Sequence, residues 1–295
     1  MCVYSAVTGG ATRVDGDATA LAVCLAGAPV WQTDMRSSAH GRRTHTIHWE
    51  VRATMYRTLT VVLITMAMAI GIAATAGAVT LNGAGATFPQ PLYEKWFHDF
   101  QQKTKHQVNY QGIGSGGGIK AISAGTVNFA GSDAPLTDAE LKGLPRPIVQ
   151  IPTVGGAVAL AYNISGVSGL RLSPRTLAGI YLGYITKWND ARLKVENPGK
   201  NLPSRPITVV HRSDASGTTF IFTTYLTAVS PDWKSKVGAD KSVKWPCGEG
   251  GKGNPGVAGL VKQIPGSIGY VELAYATQNR LATAGNMRIS PIRTS

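Results

Sequence analysis

Residues 109–120 read NYQGIGSGGGIK. Within them Gly112 to Gly117, GIGSGG, fits the dinucleotide fingerprint G-x-G-x-x-G, and Asp133 follows about twenty residues later, where that fingerprint expects a carboxylate. How this stretch is read decides the fold. A Rossmann crossover needs a longer helix than the short one available between Gly117 and Gly125, and no G-K-[ST] occurs for a triphosphate loop. The glycines therefore read as a turn that lets backbone amides approach an anion closely.

Outward from this loop, strands and helices alternate. VTLNGAGATF is a strand running into a glycine turn. A helix is expected over roughly 90–103, with Leu92, Trp96, Phe97 and Phe100 on one face and Pro89 and Pro91 at its start. HQVNYQG is a strand, and a short helix is expected from about Gly117 to Ala124. TVNFAGSD leads into a loop, DAPLTDAELKG holds a helix with Asp138 at or near its cap, and IVQIPTVGGAVALAYN reads as two strands joined through Pro152 to Gly156. Beyond it come RTLAGIYLGYITKWND (helical), ITVVHR (strand), a helix opened by Ser216-Gly217-Thr218, VAGLVKQIP (helix) and GSIGYVEL (strand). This alternation predicts an α/β architecture with largely parallel sheets.

The chain has 295 residues, 43% hydrophobic and 15% charged, which is a globular composition. Its formal charge of +13 is scattered, with nothing denser than Arg42-Arg43, so a nucleic-acid surface is not expected. Cys2, Cys24 and Cys247 lie far apart without a C-x-x-C, and no zinc site is expected. Residues 55–78, MYRTLTVVLITMAMAIGIAATAGA, have the three parts of a secretory signal peptide: Met55 and Arg57, an apolar run from about Val61 to Ala74, and the A-x-A site Ala76-Gly77-Ala78. Residues 1–54 show neither helical nor strand periodicity and read as a mis-called start or a disordered extension. Export implies a periplasmic protein starting near Val79. No cysteine follows for a lipid anchor, and a dinucleotide pool would be out of reach.

Three loops share one design. GAGATFP ends in Thr87 and Phe88, GIGSGGG places Ser115, and SDASGTT places Ser216, Gly217 and Thr218, each at an expected helix start. The first N–H groups of a helix lack internal partners and carry about half a positive charge. Three such ends meeting at one point would hold an oxyanion. A Ser or Thr at one helix start is an ordinary cap; three, accompanied by Asp133 and the Arg212/Asp214 pair, are more than caps require.

Taken in order, GAGATFPQPLYEKW, VNYQGIGSGGG, FAGSDAPL, ITKWND, RSDASGTTFIFTTYL, VKWPCGEGGKGN and PGSIGYVELAYA resemble the periplasmic phosphate-binding proteins of ABC-type phosphate importers, the PstS family. The resemblance runs from about Leu81 to Leu281. It implies a two-domain periplasmic-binding-protein fold of type 2 character, with phosphate in the cleft between two α/β domains. The first domain is expected over 79–153, the second over 154–270, and a return segment with a divergent tail over 271–295. The family's C-terminal stretch, which completes the first domain, is absent, so that domain is expected to be incomplete. The resemblance assigns phosphate contacts to Thr87, Phe88, Ser115, Asp133, Arg212, Asp214, Ser216, Gly217 and Thr218. It further implies delivery to an inner-membrane ABC phosphate permease by a monomer without cofactor.

An acid in an anion site has a chemical purpose. A bare carboxylate about 4 Å from an anion costs on the order of 4 kcal/mol at intermediate dielectric. A proton between them removes that cost: hydrogen phosphate carries one and sulfate does not, so Asp133 can accept the phosphate O–H and reject sulfate. Arg212 offers a planar fork to ligand oxygens, and Asp214 can hold that fork in place. An enzyme is not expected. Of six histidines, His40, His45 and His48 precede the signal peptide, His98 lies on a polar helix face, His106 lies in a loop, and His211 reads as structural. No H-E-x-x-H or G-x-S-x-G is present, and Ser216 lacks a base. The alternatives are a binder of another oxyanion, sulfate or molybdate, and more remotely a dinucleotide-dependent enzyme.

Overall fold

In the computed structural model the described residues are 2–8, 55–56, 58–62 and 78–285. Most of the expected signal peptide lies outside them. Residues 55–56 and 58–62 are helical, and no helix among the described residues is long and apolar enough to cross a membrane.

Two five-stranded mixed sheets define two lobes. The first sheet has the order β3-β2-β4-β1-β5, formed by β1 (Cys2–Thr8), β2 (Thr80–Gly85), β3 (Gln107–Gly112), β4 (Phe129–Ser132) and β5 (Ile148–Gly155). β2 runs parallel to β3 and β4. The second sheet has the order β10-β6-β9-β7-β8, formed by β6 (Val158–Tyr162), β7 (Thr208–Arg212), β8 (Glu249–Gly251), β9 (Ser267–Glu272) and β10 (Ala282–Thr283). β7 runs parallel to β8 and β9. The chain passes from one sheet to the other over residues 156–157, between the two strands read from IVQIPTVGGAVALAYN.

The expected largely parallel sheets are half antiparallel, at β1–β4, β1–β5, β6–β9 and β6–β10, and two further features depart from the sequence reading. Cys2–Thr8, read as part of a structureless extension, forms a strand inside the first sheet. It pairs antiparallel with β4 (Tyr4 opposite Ser132) and with β5 (Ala6 opposite Gln150), joining two strands that do not pair with each other. CVYSAVT carries apolar residues at both odd and even positions, so no period-2 alternation marks it as a strand. The return segment expected over 271–295 also adds no strand to the first sheet among its described residues. β10 pairs with β6, and Gly285 N–H donates to the Leu170 carbonyl, so these residues extend the second sheet.

The buried core is unequal. Trp188, Trp233, Tyr162, Tyr181, Tyr270 and Phe222, all in the second lobe, are fully buried. In the first lobe, helix α1 (Gln90–Thr104) opens after Pro89 with Pro91 in its first turn, as read. Of its apolar residues only Tyr93 is buried; Leu92 is exposed, and Trp96 and Phe100 stay exposed along an apolar groove of about 470 Å³. Helix α2 (Ser115–Ser123) begins two residues earlier than expected, behind Gly114 at φ +83°. α3 (Asp138–Lys142) is capped by Thr137 rather than Asp138, in a reciprocal box with Glu140. The second lobe adds α4 (Pro174–Tyr181), α5 (Ala191–Glu196), α6 (Gly217–Val229), α7 (Pro231–Lys236), α8 (Gly253–Gln263) and α9 (Leu273–Gln278).

Candidate functional site

The C-terminal ends of the parallel strands bring the expected residues together, where open α/β sheets place ligands. β2 leads to Thr87, β3 to the Gly114–Ser115 turn, β4 to Asp133 and β7 to Arg212. Thr87, Ser115, Asp133, Arg212, Ser216 and Thr218 are all buried.

Contacts cross from lobe to lobe. Ser115 Oγ accepts the Gly217 N–H at 3.0 Å and the Asp133 N–H at 3.3 Å. Thr218 donates its hydroxyl to Asp133 Oδ2 at 3.1 Å. The Gly116 N–H donates to the Ala215 carbonyl at 3.0 Å. Glycine makes this approach possible. A Cβ on Gly217 would lie 2.5 Å from Asp133 Cβ and 2.6 Å from Ser115 Oγ, and one on Gly114 would lie 2.3 Å from Asp214 Oδ2.

Asp133 is the unusual group. One carboxylate oxygen is held by Thr218, while Oδ1 is buried and has no hydrogen-bond partner. Burial pushes this carboxyl up to about 7, with Glu272 adding to the rise, against the lowering pull of the Arg212 charge and the Thr218 hydrogen bonds. Asp133 is therefore poised to share a proton near neutral pH.

Arg212 and Asp214 form a bidentate pair. Nε donates to Oδ1 at 2.7 Å and Nη2 to Oδ2 at 2.5 Å, leaving Nη1 directed at Thr218 Oγ1, 3.4 Å away. Burial alone would raise the Asp214 carboxyl, but the Arg212 hydrogen bonds and charge, with the Gly253 N–H, hold it below its ordinary value. Asp214 thus holds Nε and Nη2 of the fork, while Nη1 faces Thr218 Oγ1.

Three assignments take a different form. Ser216 Oγ caps α6 by accepting the Thr219 N–H at 3.1 Å. Thr87 and Phe88 lie before Pro89, so they precede α1 rather than opening it, and the Phe88 ring is buried in the second-lobe core. His211 stacks on Trp245 with ring centroids 4.8 Å apart, and its Nδ1 lies 3.0 Å from the Arg212 carbonyl oxygen.

Sequence reasoning missed Asn254 and Tyr275. The Asn254 N–H and Nδ2 both donate to Thr87 Oγ1, at 3.0 and 2.9 Å, and Nδ2 also reaches Thr218 Oγ1 at 3.3 Å. Tyr275 donates its hydroxyl to the Thr87 carbonyl at 2.7 Å. An asparagine in the first turn of a glycine-opened helix is the local signal that could have found the former. Among the described residues no cluster of His, Cys, Asp and Glu could hold a metal ion.

Comparison with known proteins agrees with this architecture. The chain is 51% identical over 206 residues to the phosphate-binding protein PstS of Xylella fastidiosa, covering 69% of this chain and 56% of that protein. It is 49% identical over 217 residues to PstS of Haemophilus influenzae, covering 73% and 64%. The chain thus spans little more than half the length of these curated relatives. Among solved structures, a phosphate-binding protein from Stenotrophomonas maltophilia is similar with a TM-score of 0.53 and 27% identity, over 67% of this chain and 60% of that one. PfluDING, a high-affinity periplasmic phosphate-binding protein bound with phosphate, is similar with a TM-score of 0.54 and 27% identity, over 70% and 62%. Residues 71–292 match the PBP superfamily domain, and the chain belongs to that superfamily.

Proposed function

We propose that the chain binds inorganic phosphate between its two lobes, in the periplasm, and delivers it to an inner-membrane ABC phosphate permease. The observation that carries this reading is the buried, unpartnered Oδ1 of Asp133 among the hydroxyls of Ser115 and Thr218 and the guanidinium of Arg212. A carboxyl in such a place tolerates an anion only when a proton lies between the two. Hydrogen phosphate brings that proton; sulfate and molybdate at neutral pH do not. Arg212, fixed by Asp214, takes the charge, and the Ser115 and Thr87 hydroxyls and the Gly217 N–H serve the remaining oxygens. In the closed arrangement the Gly217 N–H meets Ser115 Oγ and the Thr218 hydroxyl meets Asp133 Oδ2 across the lobes while Asp133 Oδ1 stays unmet, so phosphate entry exchanges these internal hydrogen bonds for ligand ones and gives Oδ1 a partner.

Calorimetric titration of the full chain with phosphate, sulfate and molybdate at pH 8 tests the reading. Phosphate alone is expected to bind, and a hundredfold excess of sulfate should leave its affinity within about twofold. Sulfate or molybdate binding as tightly as phosphate would make the site a general oxyanion cleft instead.

A further inference from the structure

A hydroxyl has one proton to give and two lone pairs to fill. Thr87 Oγ1 receives two N–H donors, and both come from one residue: the Asn254 backbone N–H at 3.0 Å and its Nδ2 at 2.9 Å. With both lone pairs occupied, the Thr87 hydroxyl can only donate. Ser115 Oγ also accepts two N–H groups, from Gly217 and Asp133, but the first of these turns to the anion when it binds. The Asn254 amide cannot turn over to relieve this. Its Oδ1 accepts the Glu272 N–H at 2.9 Å, which fixes the oxygen toward β9 and the nitrogen toward Thr87 and Thr218. Asn254 is fully buried in the first turn of α8, on the second lobe, while Thr87 belongs to the first.

We infer that Asn254 is a positioning residue for anion binding: carried by one lobe, it sets the hydroxyl of Thr87 on the other as an obligate proton donor and engages it only when the lobes are closed. The inference rests on the phosphate reading above. It assigns Asn254 no contact with the anion; its effect passes through Thr87.

The test is calorimetric titration with inorganic phosphate of the full chain and its Asn254→Ala, Asn254→Asp, Thr87→Val and Asn254→Ala/Thr87→Val variants, each checked for a cooperative melt. Asn254→Ala is expected to weaken binding on the order of 10- to 100-fold. The double variant should be little weaker than the poorer single variant, because both changes remove the same directed proton. Asn254→Asp keeps the volume and replaces the Nδ2 donors with an acceptor that competes for the Thr87 proton, so its loss should grow as pH rises from 5 to 8. That pH profile and the non-additivity are effects a purely scaffolding asparagine would not produce, and Asn254→Asp carries the test if the alanine variant fails to fold. Full-chain binding with wild-type affinity in both Asn254 variants, or strictly additive losses, overturns the inference alone. A full chain that ignores phosphate overturns the functional reading and the inference with it.

Discussion

Asp133 holds a carboxyl whose surroundings favour the neutral form, and this links its proton to folding. Its folded value near 7 stands above the 3.8 ordinary for an aspartate, so the folded chain binds more protons between those limits. The stability that Asp133 contributes is therefore fullest below about pH 3.8 and is lost as pH rises through 7. Asp133→Asn removes that penalty. Without ligand, the variant should melt higher than wild type at pH 8 and lose the part of the pH 5 to 8 dependence that Asp133 contributes, as read by differential scanning calorimetry. An unchanged melting profile would mean the carboxyl is not desolvated. The same variant should lose at least about tenfold of its preference for phosphate over sulfate. Asp133 and Asp214 were legible in the sequence because acids flanking glycine- and serine-rich turns are chemically conspicuous, whereas the place of Arg212 came from the family resemblance. Asn254 was not: its place in the first turn of a glycine-opened helix is a local mark, but its partner Thr87 lies 167 positions away and nothing local points to it.

Helix starts carry the approach of the two lobes. α6 begins at Gly217, whose missing side chain lets its N–H meet Ser115. By helix propensity, Gly217→Ala should stabilise α6 by up to about 1 kcal/mol. At this position the added methyl would meet Asp133 and Ser115 at under 3 Å, so the lobes could not close. The expected outcome is a melting temperature equal to or above wild type together with phosphate affinity reduced at least about tenfold. Wild-type affinity would show that closure at this point is not needed. The sequence announced α6 fully, through its Ser-Gly-Thr opening, but it announced α8 only from Val257 onward. The true start, Gly253-Asn254-Pro255-Gly256, is made of residues that usually mark turns; Pro and Gly are tolerated there because first-turn N–H groups have no partner within the helix.

The two lobes together were readable as an α/β pair because their strands follow one another along the chain, each flanked by glycine or proline. The position of β1 was not readable, since a strand drawn from far upstream is placed by vacancy between β4 and β5 rather than by its own pattern. Its backbone pairs on both sides, so Ser5→Pro, opposite Gly131 and Ile151, removes an N–H and inserts a ring where a central strand tolerates neither. The full chain carrying Ser5→Pro should melt about 3 °C or more lower, for a loss on the order of 1 kcal/mol. An identical melt would place the strand outside the cooperative unit. This interior rung also lies on the far side of the expected cleavage point after Ala78. Cutting there would detach it from the polypeptide whose sheet it bridges, making export and a fully laced first sheet rival fates for a single translation product.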